Sequence, residues 1–236
     1  MNIFASNDDG YQCEGIVRLT SALRALGHRV LMVSPDRERS GSSHSMSLAA
    51  GFIDVKEIAA DTWICGGTPV DCALAVLSGG VDFQIDVIVS GINAGCNLGT
   101  DIVFSGTAAV ALEGALHGIP SIAFSLAGDP PYFWEEAASW AAAHTDKLAK
   151  QWTKDTFTNV NIPNKKELPD KPLITFPSKR SYTDVVQKRL LDSGWTRLTF
   201  NNVKLETEYE PGSDYDAISQ NKVSVSRVYV HPVGKM

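Results

Sequence analysis

The chain has 236 residues, 44% of them hydrophobic and 20% charged, enough for a sizeable core and for one large α/β domain. A formal charge of −6 and a pI near 5.3 argue against broad binding to a nucleic-acid polymer, although a compact site can hold phosphate where a metal supplies the positive charge. Cys13, Cys65, Cys72 and Cys96 form no C-x-x-C pair and no zinc-ligand spacing, and neither a secretory leader nor an 18-residue apolar span is evident, so the expectation is a cytoplasmic protein without disulfides or membrane contact.

The apolar run Ile3-Phe4-Ala5 predicts a first strand ending at Ser6-Asn7-Asp8-Asp9-Gly10. Neighbouring strand side chains point to opposite faces, so Asp8 and Asp9 converge only where the chain is turning, which Gly10 permits. Two carboxylates about 4 Å apart repel by ~1 kcal/mol in water and ~4 kcal/mol near a protein surface. The pair therefore calls for a cation, a shared proton or solvent. The plainer reading is a turn ahead of a capped helix, since Asp, Asn and Gly are the usual turn residues.

Ile16, Leu19, Leu23 and Leu26 then recur at helical spacing up to Gly27, and Val30 to Val33 form a second strand ending at Ser34-Pro35. Strand, helix, strand reads as a right-handed βαβ unit of a parallel sheet covered on both faces. Asp36 to Ser45 is a polar, Gly/Ser-rich loop too long for a minimal connection. Thr68-Pro69-Val70-Asp71 has the form of a capped helix start. Val87-Ile88-Val89 and Ile122-Ala123-Phe124 are further buried strands, with a helix from about Gly106 to His117 between them. A long Ala-rich helix from Trp134 to about Trp152 leads to short strands around Val160, Ile174 and Leu198, a hairpin turn at Asn201-Asn202, and a last strand at Val223-Ser224-Val225. No linker marks a boundary, so the second half is expected to extend the same sheet.

The densest chemistry lies in Ser90-Gly91-Ile92-Asn93-Ala94-Gly95-Cys96-Asn97-Leu98-Gly99 and the helix start Ser105-Gly106-Thr107. Amide oxygens bind cations, whereas amide NH₂ groups and the N–H groups of a helix N-terminus bind phosphate oxygens. The glycine spacing matches neither G-x-G-x-x-G nor G-x-x-x-x-G-K-[ST], which weakens dinucleotide and P-loop readings.

Asn7-Asp8-Asp9-Gly10, Pro35-Asp36-Arg37, Arg39-Ser40-Gly41, Gly67-Thr68-Pro69, Ser90-Gly91-Ile92-Asn93 and Phe104-Ser105-Gly106-Thr107, in that order, resemble the SurE survival-protein family of metal-dependent nucleotidases. Weaker similarity continues through Asn161-Ile162-Pro163, Gly212-Ser213-Asp214 and Val223-Ser224-Val225. The resemblance implies a three-layer α/β/α, Rossmann-like fold with a mostly parallel sheet and a mixed, hairpin-containing C-terminal half. It implies one domain over 1–236, with residues 1–125 carrying the site and 126–236 extending it. The implied activity is hydrolysis of nucleoside 5′-monophosphates, with 3′-monophosphates and short polyphosphate as further substrates. By the same resemblance Asp8, Asp9, Ser40 and Asn93 hold one metal ion, and Asn97, Ser105, Gly106 and Thr107 hold the phosphate. Four oxygen ligands suit Mg²⁺ or Mn²⁺ better than zinc.

Asp8 and Asp9 are the catalytic candidates, either as general base toward water or as nucleophile, and the residue types do not rank these roles. His44 is a candidate proton donor to the leaving oxygen, with a solvated loop histidine as the plainer reading. Arg37 and Arg39 alternate with Asp36 and Glu38 and read as a self-compensated loop. Tyr11-Gln12-Cys13-Glu14 departs from the family's apolar-x-Ala-Pro, a change at the rim of the site that bears on base preference. A homo-oligomer, dimer or tetramer, is expected, although the chain ends at Met236 without room for the long C-terminal exchange arm of many family members. The reading from another class is a non-catalytic nucleotide sensor that keeps the phosphate cradle.

Overall fold

The computed structural model describes residues 1–47 and 49–232, with the backbone alone at 184 and 201–203. The chain begins with β1 (Asn2–Ser6), α1 (Glu14–Ala25), β2 (Arg29–Pro35), β3 (Val55–Ala59), β4 (Thr62–Cys65), α2 (Pro69–Leu77) and β5 (Val87–Ala94). A 3-10 turn (Gly99–Val103) leads into α3 (Gly106–Leu116), β6 (Ser121–Ala127), α4 (Trp134–Lys150) and β7 (Thr156–Pro163). The last part comprises β8 (Leu173–Thr175), β9 (Arg180–Leu190), β10 (Thr196–Thr207), α5 (Asp214–Ser219) and β11 (Ser224–Tyr229).

Period-two alternation in the first strands feeds two cores. Ile3, Ala5, Val30 and Met32 are buried with Ile16, Leu19 and Leu23 of α1 and Trp140 of α4. Their neighbours Phe4, Leu31 and Val33 are buried on the other face with Cys72, Ala73 and Val76 of α2 and Val110 of α3. Each fully buried Leu, Ile or Phe contributes ~1.5–3 kcal/mol, and having helices on both faces makes these strands apolar throughout. The result is the expected three-layer α/β/α fold with a mostly parallel sheet.

Among the described residues, nine strands form one sheet in the order β3-β4-β2-β1-β5-β6-β7-β11-β8. β2, β1, β5, β6 and β7 run parallel, whereas β11 is antiparallel to β7 and β3 antiparallel to β4. The chain grows outward from β1 through β2 in one direction and from β5 in the other. The β1/β5 boundary is therefore a topological switch point, where a crevice opens beyond the carboxyl ends of the strands.

Three features of the fold depart from the sequence reading. β3 and β4 pair at the end of the sheet; both are short, Lys56 and Glu57 lie exposed on the edge strand β3, and the apolar Trp63-Ile64-Cys65 of β4 is too brief to mark a strand alone. The second half extends the sheet only through β7, β11 and β8, because β9 and β10 form a separate two-stranded antiparallel arm. The hairpin turn is at Leu191–Trp195 and not at Asn201-Asn202. There Leu191 N–H donates to the Trp195 carbonyl (2.8 Å), Gly194 N–H donates to the Leu191 carbonyl (2.9 Å), and Gly194 takes φ 81°. Between Asn201 and Lys204 the register merely shifts, as at a bulge, so β10 runs straight through the pair. Among the described residues no helix is long and apolar enough to cross a membrane.

Candidate active site

Parallel register places Ala5 beside Val89 and Ser6 beside Ser90, so the segments that follow β1 and β5 leave the sheet side by side. Asn7 fixes the first of them by donating from Nδ2 to the Gly10 carbonyl (2.9 Å). The backbone carbonyl of Asp8 accepts from Arg39 N–H (2.7 Å), which brings the loop after β2 against the acidic turn. A cleft of about 840 Å³ opens here, and Asp8, Asp9, Ser40, Asn93, Asn97 and Ser105 all line it. Gly106 and Thr107 lie directly behind Asp8. The structure thus brings together all eight residues singled out in the sequence, which are separated by as many as 99 positions.

Asp8 is buried, and both of its oxygens are held. Oδ2 accepts from Gly106 N–H at the start of α3 (3.1 Å), and Oδ1 accepts from the Thr107 hydroxyl. Burial nonetheless wins over these donors and lifts the Asp8 carboxyl above the usual carboxylate range. Asp9 is engaged on one side only, Oδ2 accepting from Ala94 N–H (3.2 Å). Its pKa is pushed up to about 6, first by burial, then by the negative charge of Asp8, and lastly by Glu38. Asn93 donates from Nδ2 to the Gly95 carbonyl (2.8 Å), which leaves its amide oxygen as the free acceptor. Ser40 donates to Glu38 Oε1 (3.0 Å).

Four carboxylates, Asp8, Asp9, Glu38 and Asp101, line the cleft; Asp101 is paired with Arg180, whereas Asp8, Asp9 and Glu38 make no ion pair with Lys or Arg among the described residues. Such a cleft would repel a phosphate dianion unless a cation sat between them. The oxygen-only donor set and the raised carboxyls of Asp8 and Asp9 fit a hard divalent ion.

Asn97 is anchored from the adjoining strands. Its backbone N–H donates to Asn161 Oδ1 (2.8 Å), its carbonyl accepts from Asn159 (2.8 Å) and Asn161 (3.0 Å), and its Nδ2 donates to Ser125 Oγ (2.8 Å). Ser105 caps α3, its Oγ accepting from Ala108 N–H (3.0 Å), so its own proton is free for another acceptor. Asp214, fully buried, accepts from Gly99 N–H (2.8 Å) and Ser178 N–H (2.9 Å), tying the loop after β5 to the C-terminal third. Sequence reasoning missed Asn159, Ser125, Asp214 and Glu38 as parts of this assembly. The available signal was two asparagines, Asn159 and Asn161, two positions apart in a buried strand, where they share one face.

His44 is absent from the cleft lining. Its Nε2 lies 2.9 Å from Glu113 of α3, which it holds below the usual carboxylate range, and it tethers the loop after β2 rather than donating to a leaving group. Arg39 donates to Asp36 (3.1 Å) and to the Gly66 carbonyl (2.6 Å), and Arg37 lies 3.5 Å from Asp36, so both serve the loop itself. Cys13 lines the cleft and donates from Sγ to the Asp9 carbonyl (2.9 Å).

The same loop is pinned at its far end by Asp71, which forms the capping box of α2 with Thr68 as the sequence predicts. Burial would raise Asp71, but donors from Ser47 (2.9 and 2.6 Å) and Thr68 (2.8 Å) outweigh it and leave the carboxyl below its ordinary value. Because the folded pKa is depressed, the stabilisation is complete above the unfolded pKa and is lost as pH falls through the folded one. Asp71→Ala is expected to cost about 2 kcal/mol in urea unfolding at pH 7, with the difference from wild type shrinking in acid. A difference that stays constant down to acid would sink the assignment.

Comparison with known proteins places these motifs in one lineage. The family described as "Survival protein SurE" matches residues 3–184. A "5'-nucleotidase SurE" of Synechococcus sp. (strain JA-3-3Ab) is 37% identical over 235 residues, covering 96% of this chain and 90% of that protein. Another so named, from Pelobacter propionicus, is 37% identical over 98% of this chain and 94% of its own length. The crystal structure of the SurE protein from Aquifex aeolicus superposes with a TM-score of 0.81 at 34% identity, covering 99% of this chain and 95% of that one.

Proposed function

This chain belongs to the SurE survival-protein family, and from that membership and the cleft we propose that it is a divalent-cation-dependent 5′-nucleotidase, releasing phosphate from nucleoside 5′-monophosphates. The observation that carries the proposal is the buried Asp8 carboxylate, gripped by the first residues of α3, in a cleft where Asp8, Asp9 and Glu38 carry no Lys or Arg partner among the described residues and call for a cation before phosphate can enter. Asp8, Asp9, Ser40 and Asn93 would hold Mg²⁺ or Mn²⁺. When bound, the cation supplies positive charge against the phosphate oxygens and Lewis-acid polarisation of the phosphoryl group.

The protein's own groups divide the remaining work. Gly106 N–H and the Thr107 hydroxyl are already committed to Asp8, so their part is to hold that carboxylate in place. Phosphate contact then falls to the free proton of the Ser105 hydroxyl and the second amide proton of Asn97, fixed donors aimed where equatorial charge grows. Asp9 has one oxygen without a hydrogen bond among the described residues and is the group placed to take a proton from an attacking water. The water oxygen bonds to phosphorus as the ester P–O bond breaks, and the nucleoside oxygen leaves with a proton from solvent, while Asp9 later returns the water's proton to solvent. The chain acts as a single domain, and its four free thiols suit the cytoplasm.

The test is phosphate release from 5′- and 3′-nucleoside monophosphates and short polyphosphate, with Mg²⁺, Mn²⁺ or chelator. Release from 5′-monophosphates that chelator abolishes is the expected result. Turnover indifferent to chelator would discard the cation, and nucleotide binding without turnover would favour a sensor.

A further inference from the structure

The cleft is far larger than a phosphate group. Its volume of about 840 Å³ is enough for a whole nucleotide. One corner of its lining is aromatic: Phe104, the residue immediately before the Ser105 cap, and Tyr182, from β9 of the separate arm. The two rings stand perpendicular, with centroids 6.4 Å apart and an interplanar angle of 85°. Both are substantially open to the cleft, Phe104 at 50% exposure and Tyr182 at 42%.

These rings are held in position. The Tyr182 hydroxyl donates to Asp101 of the 3-10 turn, and the same carboxylate pairs with Arg180, whose side chain is only 7% exposed. Arg180 N–H donates to Thr100 Oγ1 (3.0 Å), and Ser43 N–H donates to the Phe104 carbonyl (3.0 Å). A tyrosine with its hydroxyl committed, beside a phenylalanine on a pinned backbone, keeps its ring face available at little ordering cost. Nothing in the chemistry of phosphate release calls for two exposed aromatic rings, whereas a heterocyclic base does, because every base offers a π-face for stacking.

We propose that Phe104 and Tyr182 form an aromatic corner, here called the platform, that holds the substrate's nucleobase with its face stacked on one ring and its edge against the other, so that the C-terminal arm takes part in recognising the nucleoside while the sheet edge handles the phosphate. The inference rests on the nucleotidase reading and names where that substrate's base sits. Asp101 and Arg180 act as positioning residues for the platform. Stacking of this kind tolerates any base, so the platform gives affinity for nucleosides as a class.

The experiment compares AMP with ribose 5-phosphate, which carries the same phosphate and sugar phosphate ester without a base, in the presence of Mg²⁺ or Mn²⁺. Phe104→Leu is expected to lower kcat/KM for AMP by about 10- to 100-fold, mainly through KM, and to leave ribose 5-phosphate within about twofold. Phe104→Trp should restore AMP turnover, and Tyr182→Leu should repeat the selective loss. Because Phe104 is half exposed, its replacement should leave the thermal midpoint unchanged. Equal losses on both substrates, or no loss on AMP, would overturn the platform alone. Wild-type protein that releases phosphate from neither compound would overturn the nucleotidase reading and the platform with it.

Discussion

Asp8→Asn should abolish turnover, by on the order of 10³-fold or more in phosphate release, while leaving the fold intact. An asparagine at this position still accepts from Gly106 N–H, and the Thr107 hydroxyl can rotate to meet the new NH₂ group. What is lost is the charge. That charge is costly in the cation-free protein, since burial lifts the Asp8 carboxyl and Asp9 stands beside it with its own pKa pushed up to about 6. The chelated variant should therefore melt at the wild-type temperature or above it, because residues kept for catalysis are often ones that stability alone would discard. Circular dichroism, thermal melts in chelator and a phosphate assay decide the matter together. Activity within tenfold of wild type would remove Asp8 from the reaction.

Gly106→Ala is expected to produce the second large loss, on the order of 10²-fold in kcat, with a stability cost of about 1–3 kcal/mol. A Cβ at this position would lie 2.8 Å from Asp8 Cβ, 2.9 Å from Pro69 Cγ and 2.9 Å from Ser42 Oγ. Asp8 Cβ is fixed to the backbone at the end of β1 and Pro69 to the start of α2, so neither can swing aside as the end of a long side chain would. The helix or the acidic turn must move, and either displacement opens the grip of α3 on Asp8. An alanine variant with unchanged kcat would show that this close approach has no part in turnover.

How much of this was legible beforehand depended on how locally it is encoded. The helices α1 and α4 and the strands β1, β2, β5 and β6 each bury a largely apolar pattern, which periodicity reads directly. The Thr68/Asp71 capping box closes over four residues and can be read from four letters. The acidic turn, the asparagine loop and the α3 start are likewise compact runs whose side-chain types declare their chemistry. β3 leaves little trace because it is an exposed edge strand, β4 because its apolar Trp63-Ile64-Cys65 is too short to mark a strand, and Asn201-Asn202 offers a plausible turn although Gly194 makes the actual one.

The sequence by itself determined the two-faced sheet, the βαβ opening, and which oxygen and amide groups would stand at strand ends and helix starts, because those properties follow from spacing along one stretch of chain. Only the tertiary structure decided which groups meet. It gives the donors at the start of α3 to Asp8, commits His44 to Glu113, anchors Asn97 on Asn159 and Asn161, and folds Tyr182 back over Asp101 beside Phe104. The reason is that hydrogen bonds and burial act over a few ångströms of space irrespective of sequence separation. A partner 78 positions away, as Tyr182 is from Phe104, leaves no periodic trace in the chain between them.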